Sequence, residues 1–285
     1  MIWALFSIMA GLGDAVSFAI MKKLSDADIY VKLLFYNVMT LPFLLFGFLF
    51  YEIPRVSLGF YIVIIINSIV WIVATFLLMK SLETGDLSAS IPILNFTPVF
   101  LLFISYLLLG EFPNFQGLVG ILVVVAGSYI LHISSIKSGY FEPIKSIFIG
   151  RGLSMFVVAF LFGITASLAK IGIQLSNPAY FMFMHYLFVS LVLTILYFNK
   201  IRENKKQIKA NFKYFLVMGI AVAFSEILAG TAFKLTLVPY VISLKRTSII
   251  FSVLIGYLFF REKHFKEAII GSIIMFIGAL LITLS

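Results

Sequence analysis

Long apolar stretches alternate with short polar links along the whole chain. A membrane-spanning helix needs about 20 apolar residues. Ten stretches approach that length: 2–22, 30–51, 57–81, 87–109, 114–133, 151–174, 179–198, 212–235, 239–260 and 266–284. The longest polar links are 134–150 and 199–211. Run length predicts helices, because barrel strands would be about ten residues of alternating polarity, and no such alternation occurs. Met1 opens directly into an apolar run with no basic leader. The first stretch is therefore expected to remain as a span rather than to be cleaved.

The apolar pattern repeats. Aligned without a gap, Phe100–Leu131 falls on Phe251–Ile282. Tyr106 then meets Tyr257, Glu111 meets Glu262, and Gly120 and Gly127 meet Gly271 and Gly278. Apolar composition alone yields Leu and Ile matches, but not a glutamate and two glycines in register. Each half holds an odd number of spans, so the second half must enter the membrane upside down. The expected fold is an all-α membrane protein of ten transmembrane helices arranged as two inverted five-helix repeats, residues 1–135 and 150–285. Two opposed halves around a central site can rock, which makes this a transporter architecture.

Composition agrees. Hydrophobic residues make up 62% and charged residues 12% of the chain, against roughly 25% charged in soluble domains. No room is left for a water-facing domain. The absence of cysteine excludes disulfides and thiolate metal sites. His132, His185 and His264 lie in different segments without metal-ligand spacing. No metal and no other cofactor is expected.

The net charge of +9 sits in the links, where Lys and Arg set orientation, and is no nucleic-acid signature. Sixteen of the 21 Lys and Arg fall on the side of links 1–2, 3–4, 5–6, 7–8 and 9–10, and three (Arg55, Lys170 and Lys234) on the other. The basic side is expected to be cytoplasmic, with both termini outside and the cell membrane as host. The basic run from Lys200 to Lys213 reads as a topology anchor.

Four ionisable residues lie well inside spans: Asp14, Glu226, Lys245 and Arg246. A charge at mid-membrane costs roughly 2.5–3.5 kcal/mol, so these four cannot face lipid unpaired. Small residues share their faces: Ser7, Ala10, Gly11 and Ser17 with Asp14, Gly219, Ala223 and Gly230 with Glu226, and Ser248, Ser252 and Gly256 with Lys245. Such faces pack helices or line cavities. Two readings stand. The charges neutralise one another and pin the bundle, or the basic pair binds an anion while an acid carries coupling protons. Arg supplies a planar fork for carboxylate or phosphate, and Lys adds a point charge. Both follow Pro239 in the second turn of the ninth span, where the helix dipole would favour an anion. Lys245 has the alternative of snorkelling to the interface. An acid facing the bases would hold no proton near neutral pH. Glu226, in the neighbouring span, is expected to pair with them, leaving Asp14 as the carrier.

Further candidates are His185, two turns into the seventh span, and Asn95, the repeat mate of Arg246. Asn67 and Trp71, on one face of the third span, complete the set. For each, ordinary packing between helices is the alternative. Glu111 and Glu262 read as helix caps or gates rather than ligands.

The segments LLLGEFPNFQGLVGILVVVAG (107–127) and LFFREKHFKEAIIGSIIMFIG (258–278) resemble the drug/metabolite transporter superfamily, EamA type. Pro92 and Pro98 in the fourth span, and Gly163 followed by Lys170 in the sixth, add to the resemblance. It covers essentially the full chain. It implies a basket of ten helices around a central cavity, with the last helix of each half more peripheral. The family exports or exchanges amino acids, sugars, nucleotide sugars and phosphorylated metabolites. Some relatives have cytoplasmic termini, opposite to the orientation the charge count gives here. The stretch ISLKRTSIIF resembles plastid triose-phosphate translocators, which implies that Lys245 and Arg246 receive a substrate phosphate. Asp14 is similar in placement to the first-helix acid of small multidrug-resistance relatives, which exchanges protons with substrate.

The function expected is secondary transport of a small polar, anionic organic metabolite, an amino acid or a phosphorylated compound, by proton-coupled or exchanging alternating access. A flippase for lipid phosphates or lipid-linked headgroups is the alternative. Enzyme chemistry is not expected, since HExxH, GxSxG and Walker motifs are absent. The partners expected are a small-molecule substrate, the bilayer and protons, without nucleic acid, for a monomer or homodimer.

Overall fold

The computed structural model of the chain describes residues 1–24, 27–84, 94–133, 151–260 and 265–285. Pro92, Glu262, His264 and the 134–150 link lie outside them, as do the side chains of His132 and the face position Gly256. The described residues are all-helical outside their links. In the first half they form α1 (Ile2–Lys23), α2 (Ile29–Val38), α3 (Leu41–Leu44), a 3₁₀ turn (Leu45–Leu49), α4 (Leu58–Thr84), α5 (Thr97–Leu109) and α6 (Phe115–Ile133). In the second half they form α7 (Arg151–Gln174), α8 (Pro178–Leu196), α9 (Phe198–Glu203), α10 (Lys205–Leu235), α11 (Val238–Lys245), α12 (Ser248–Phe260) and α13 (Phe265–Thr283). Among the described residues, seven helical segments are long and apolar enough to cross a bilayer, and three shorter apolar ones accompany them. Helices suit lipid because each satisfies its own backbone hydrogen bonds.

Local chemistry sets several helix starts. Asp28 caps α2, its Oδ1 accepting from the amides of Tyr30 (2.9 Å) and Val31 (3.3 Å). Asn177 caps α8 through the Tyr180 amide at 2.9 Å, with Pro178 in the first turn. Both follow the preference for Asx at the N-cap, and the second for proline just inside the helix. Inside and outside then separate by side-chain size. On α1 the buried face is Ala4, Ser7, Ala10, Gly11, Gly13, Ala15 and Ser17. Leu5, Leu12 and Phe18 point away from the bundle, where lipid would receive them.

The last helices of the two halves show how the repeats are related. A Cβ on Gly127 would stand 2.8 Å from the Gly271 carbonyl oxygen and 2.7 Å from the Met275 amide nitrogen. A Cβ on Gly278 would meet the Gly120 oxygen at 2.8 Å and the Val124 nitrogen at 2.7 Å. Adding or subtracting the repeat offset of 151 converts one contact into the other. α6 and α13 therefore pack antiparallel about a pseudo-two-fold axis, with bare glycine backbones in contact. This is the packing inverted repeats require, and glycine makes so close an approach possible.

Turns stand where unbroken helix was expected. The second span breaks at Met39–Thr40 and the ninth at Arg246–Thr247, and in the described part of the fourth a turn at Asn95–Phe96 precedes α5. The last two are repeat mates. The Val99 and Phe100 amides donate to Phe96 O (2.9 and 3.2 Å), as Ile250 and Phe251 donate to Thr247 O (2.9 and 3.3 Å). The same turn is thus built twice. The polar link expected at 199–211 is itself helical, as α9 and the first turns of α10. Its Lys, Gln and Ala residues are good helix formers, and Ile208 packs on the core.

Candidate functional site

α1 carries the first acid into the centre of the bundle. A Cβ on Gly13 would stand 2.7 Å from the Ala221 oxygen, and one on Gly11 2.9 Å from the Lys245 oxygen. Only bare backbone lets α1 lie this close to both α10 and the break after α11. Asp14, between the two contacts, therefore reaches both. Its Oδ1 accepts from Ser225 Oγ at 2.6 Å, and its Oδ2 lies 3.4 Å from Lys245 Nζ. Glu226 Oε1 accepts from the same Nζ at 3.0 Å. The Lys245 ammonium is thus held between two carboxylates, one from each half.

Arg246 is placed differently. Among the described residues it makes no ion pair. Its Nη2 donates to the Leu94 carbonyl at 3.5 Å, beside the turn of the opposite half, and its buried Nε has no partner. The sequence placed both bases in the second turn of one continuous helix. Instead α11 ends at Lys245 and α12 begins at Ser248. The field at Arg246 is therefore that of a discontinuous helix, with the C-terminal end of α11 and the N-terminal end of α12 meeting there. Such breaks bind ions in transporters. Lys245 does not snorkel to an interface.

A cavity of ≈ 240 Å³ opens beside these groups. Both halves line it, with Asp14, Asn67, Trp71 and Thr97 from the first, and Phe162, Thr165, Phe181, Met182, His185, Glu226, Phe233, Lys245 and Arg246 from the second. Of the candidates named from sequence, Asp14, Asn67, Trp71, His185, Glu226, Lys245 and Arg246 come together here. Asn95 is buried at the fourth-span turn but is not among the lining residues. The separation of acids that favoured Asp14 over Glu226 is not found, since both contact Lys245. No described residue of α6 or α13 lines the cavity.

At the far wall His185 Nδ1 lies 3.2 Å from Asn67 Nδ2 and 2.9 Å from Ser68 Oγ. Asn67 Oδ1 is buried and has no hydrogen bond. Trp71 stands edge-on to the imidazole at 5.8 Å, and Phe181 stacks on it at 6.3 Å.

A second buried ion pair lies at the end of the bundle that is poor in Lys and Arg. Lys170 of α7 pairs with Glu111, in the link after α5, their side chains 8% and 13% exposed. Lys170 Nζ also donates to Thr236 O at 2.6 Å, and Glu111 Oε2 accepts from the Val238 amide at 3.0 Å. This cluster joins the two halves through the start of α11. Glu111 is not a cap on its own helix, which ends in the left-handed Gly110 (φ 68°).

Sequence reasoning missed Ser225, Ser68 and the apolar wall of Phe162, Phe181, Met182 and Phe233. Ser225 and Ser68 had a signal, each being a small polar neighbour of a residue already singled out. The apolar wall had none, because its residue types also face lipid.

Comparison with known proteins agrees with this architecture. The model of the EamA-like transporter family matches the chain twice, over residues 1–133 and 151–284. The chain therefore belongs to the EamA-like transporter family and is a multi-pass membrane transporter. A solved crystal structure, described only as that of a protein, superposes with a TM-score of 0.76 over 99% of this chain and 96% of its own length. Its identity is 12%, so the likeness is one of fold alone. No curated protein matches the chain.

Proposed function

We propose that this protein is a secondary transporter that moves a small polar organic anion across the cell membrane by alternating access, with Arg246 as the anion-binding group. The observation that carries the reading is Arg246 itself. It is a guanidinium beside a central cavity between inverted halves, with no carboxylate partner among the described residues and an unbonded Nε. Arginine offers planar, paired donors to a carboxylate or phosphate. The cavity is below the roughly 300–1,000 Å³ of drug-sized sites, which favours a free small solute over a lipid headgroup.

The remaining charges suit coupling. With both acids ionised, Asp14 and Glu226 cancel Lys245 and Arg246. Protonating one acid leaves the site with a net positive charge, so anion and proton favour each other's binding, and the favour is reciprocal. The paired turns at 95–96 and 246–247 would supply hinges. The Glu111–Lys170 cluster would close one face while the other is open. The lysine-rich face is read as cytoplasmic, which puts both termini outside.

A thermal-shift screen of purified protein against amino acids, phosphorylated sugars and nucleotides tests the reading, because a ligand stabilises the state it binds. At least one anionic compound should stabilise the wild type and lose that effect in Arg246→Lys, which keeps the charge and removes the fork. Equal stabilisation of both proteins would overturn the assignment of Arg246.

A further inference from the structure

The first turns of α10 carry charges that the cavity does not use. Lys205, Lys206, Lys209 and Lys213 recur at spacings of three and four residues, and all four are exposed. They therefore share one face of the helix. Lys23, at the end of α1, extends the row from the other half. Its Nζ and that of Lys213 each lie 5.0 Å from the centroid of the Tyr214 ring, so the two ammoniums are at most twice that distance apart. None of these five lysines forms an ion pair among the described residues. Glu203, the nearest acid to the row in sequence, is taken by Lys200 at 3.4 Å.

The row is costly as it stands. Like charges at i, i+4 repel one another. Lys205 and Lys206 stand in the first turn of α10, at the positive end of the helix dipole, with no acid in that turn. The Tyr214 ring offsets part of the repulsion for Lys23 and Lys213, but not for Lys205, Lys206 and Lys209. Setting orientation needs only the number of Lys and Arg on one side of the membrane, not their alignment on one face. What continues that face is apolar. Leu216, Val217 and Ile220 lie three, four and seven residues beyond Lys213 and are exposed. They run from the basic row into the bilayer along the same side of the helix.

We infer that α10 and the end of α1 form a binding site for an anionic phospholipid, its headgroup phosphate held by Lys23 and the α10 lysines and its acyl chains laid along Leu216, Val217 and Ile220. Basic clusters beside a membrane span attract anionic lipid. Here the charges and the apolar strip are stacked in the order in which a phospholipid carries its headgroup and its chains. A zwitterionic phospholipid brings its own ammonium, which the lysines repel. Free phosphate meets the same charges and lacks the chains. The site lies on the lipid-facing surface and joins α1 of the first half to α10 of the second, so its occupant ties the two halves together at the lysine-rich end.

The test follows the unfolding temperature of the purified full-length protein in a non-ionic detergent, because a ligand stabilises the state it binds. The probes titrated in are dioleoyl phosphatidylglycerol, dioleoyl phosphatidylcholine, glycerophosphoglycerol, which is the same anionic headgroup without chains, and inorganic phosphate. Phosphatidylglycerol should stabilise the protein at a lower concentration than any of the other three. The triple variant Lys205→Gln, Lys209→Gln, Lys213→Gln should weaken that binding by about tenfold or more. It should unfold no lower than the wild type without lipid, since like charges have been removed. Lys23→Gln alone should weaken binding several-fold, and it tests the site even if the triple variant does not fold. The control is Lys200→Gln, Arg202→Gln, which removes two basic residues of α9 outside the row and should bind phosphatidylglycerol as the wild type does. Equal stabilisation by phosphatidylglycerol and phosphatidylcholine overturns the inference. Glycerophosphoglycerol or inorganic phosphate binding as tightly as the lipid would make this a site for a soluble anion and overturns it too. Wild-type binding of phosphatidylglycerol by both Lys23→Gln and the triple variant leaves the lysines as topology anchors and nothing more.

Discussion

Asp14 Oδ2 lies 3.4 Å from Lys245 Nζ, and this contact joins the first helix of one repeat to the broken ninth span of the other. It exists because Gly11 and Gly13 let α1 touch backbone on both sides of Asp14. Gly11→Val should therefore lower the unfolding temperature in micelles, at a cost of about 1–3 kcal/mol for overpacking. Gly59→Val is the control, since a Cβ there meets only Ser57 Oγ at 3.5 Å. Equal losses in the two variants would show that α1 does not depend on this approach.

The two acids should separate in function although both hold Lys245. Asp14→Asn is expected to abolish pH-gradient-driven accumulation while leaving solute exchange, because exchange needs no net proton movement. Glu226→Gln should keep that accumulation. Gradient-driven transport that survives in Asp14→Asn would remove Asp14 as the carrier. Replacing both acids leaves a buried lysine unpaired, a loss of about 3–5 kcal/mol in comparable cases. Adding Lys245→Met to that double variant should recover much of it in a thermal-unfolding measurement.

The Glu111–Lys170 cluster predicts a conformational bias. The chain has no cysteine, so Thr165→Cys places a single thiol on the cavity wall. In Lys170→Met its labelling by a membrane-impermeant thiol reagent should speed up several-fold relative to the parent, because the tie across one face is gone. The Glu111→Leu, Lys170→Met double variant should label as fast while unfolding at a higher temperature than Lys170→Met alone, since no buried charge is left unpaired. Unchanged labelling in both would make the cluster a packing feature only.

Orientation is tested by reporters. A fusion at Ser285 should read extracytoplasmic, and an insertion in the 202–209 segment cytoplasmic. The reverse pattern would invert the topology and leave the fold intact.

Much of this architecture was legible because membrane physics writes it in simple terms. Glu111, Gly120 and Gly127 in register with Glu262, Gly271 and Gly278 announced the repeat, and charge inside apolar runs announced Asp14, Glu226, Lys245 and Arg246. The turns at 95–96 and 246–247 were not legible. No glycine stands there, and the prolines, Pro98 and Pro239, sit where helices start. Which acid meets which base depends on how closely α1 approaches α10, which the sequence hints at only through Gly11 and Gly13. The double use of Lys245, and hence the isolation of Arg246, could be read only from the assembled bundle.

Solute counterflow in proteoliposomes reaches the central claim most directly. Vesicles loaded with a compound that stabilises the purified protein should take up labelled external compound faster than protein-free vesicles. Arg246→Lys should lose most of that uptake while Gly59→Ala keeps it. Uptake equal to that of protein-free vesicles for every compound that binds, or full uptake by Arg246→Lys, would contradict a transporter whose site is built on Arg246.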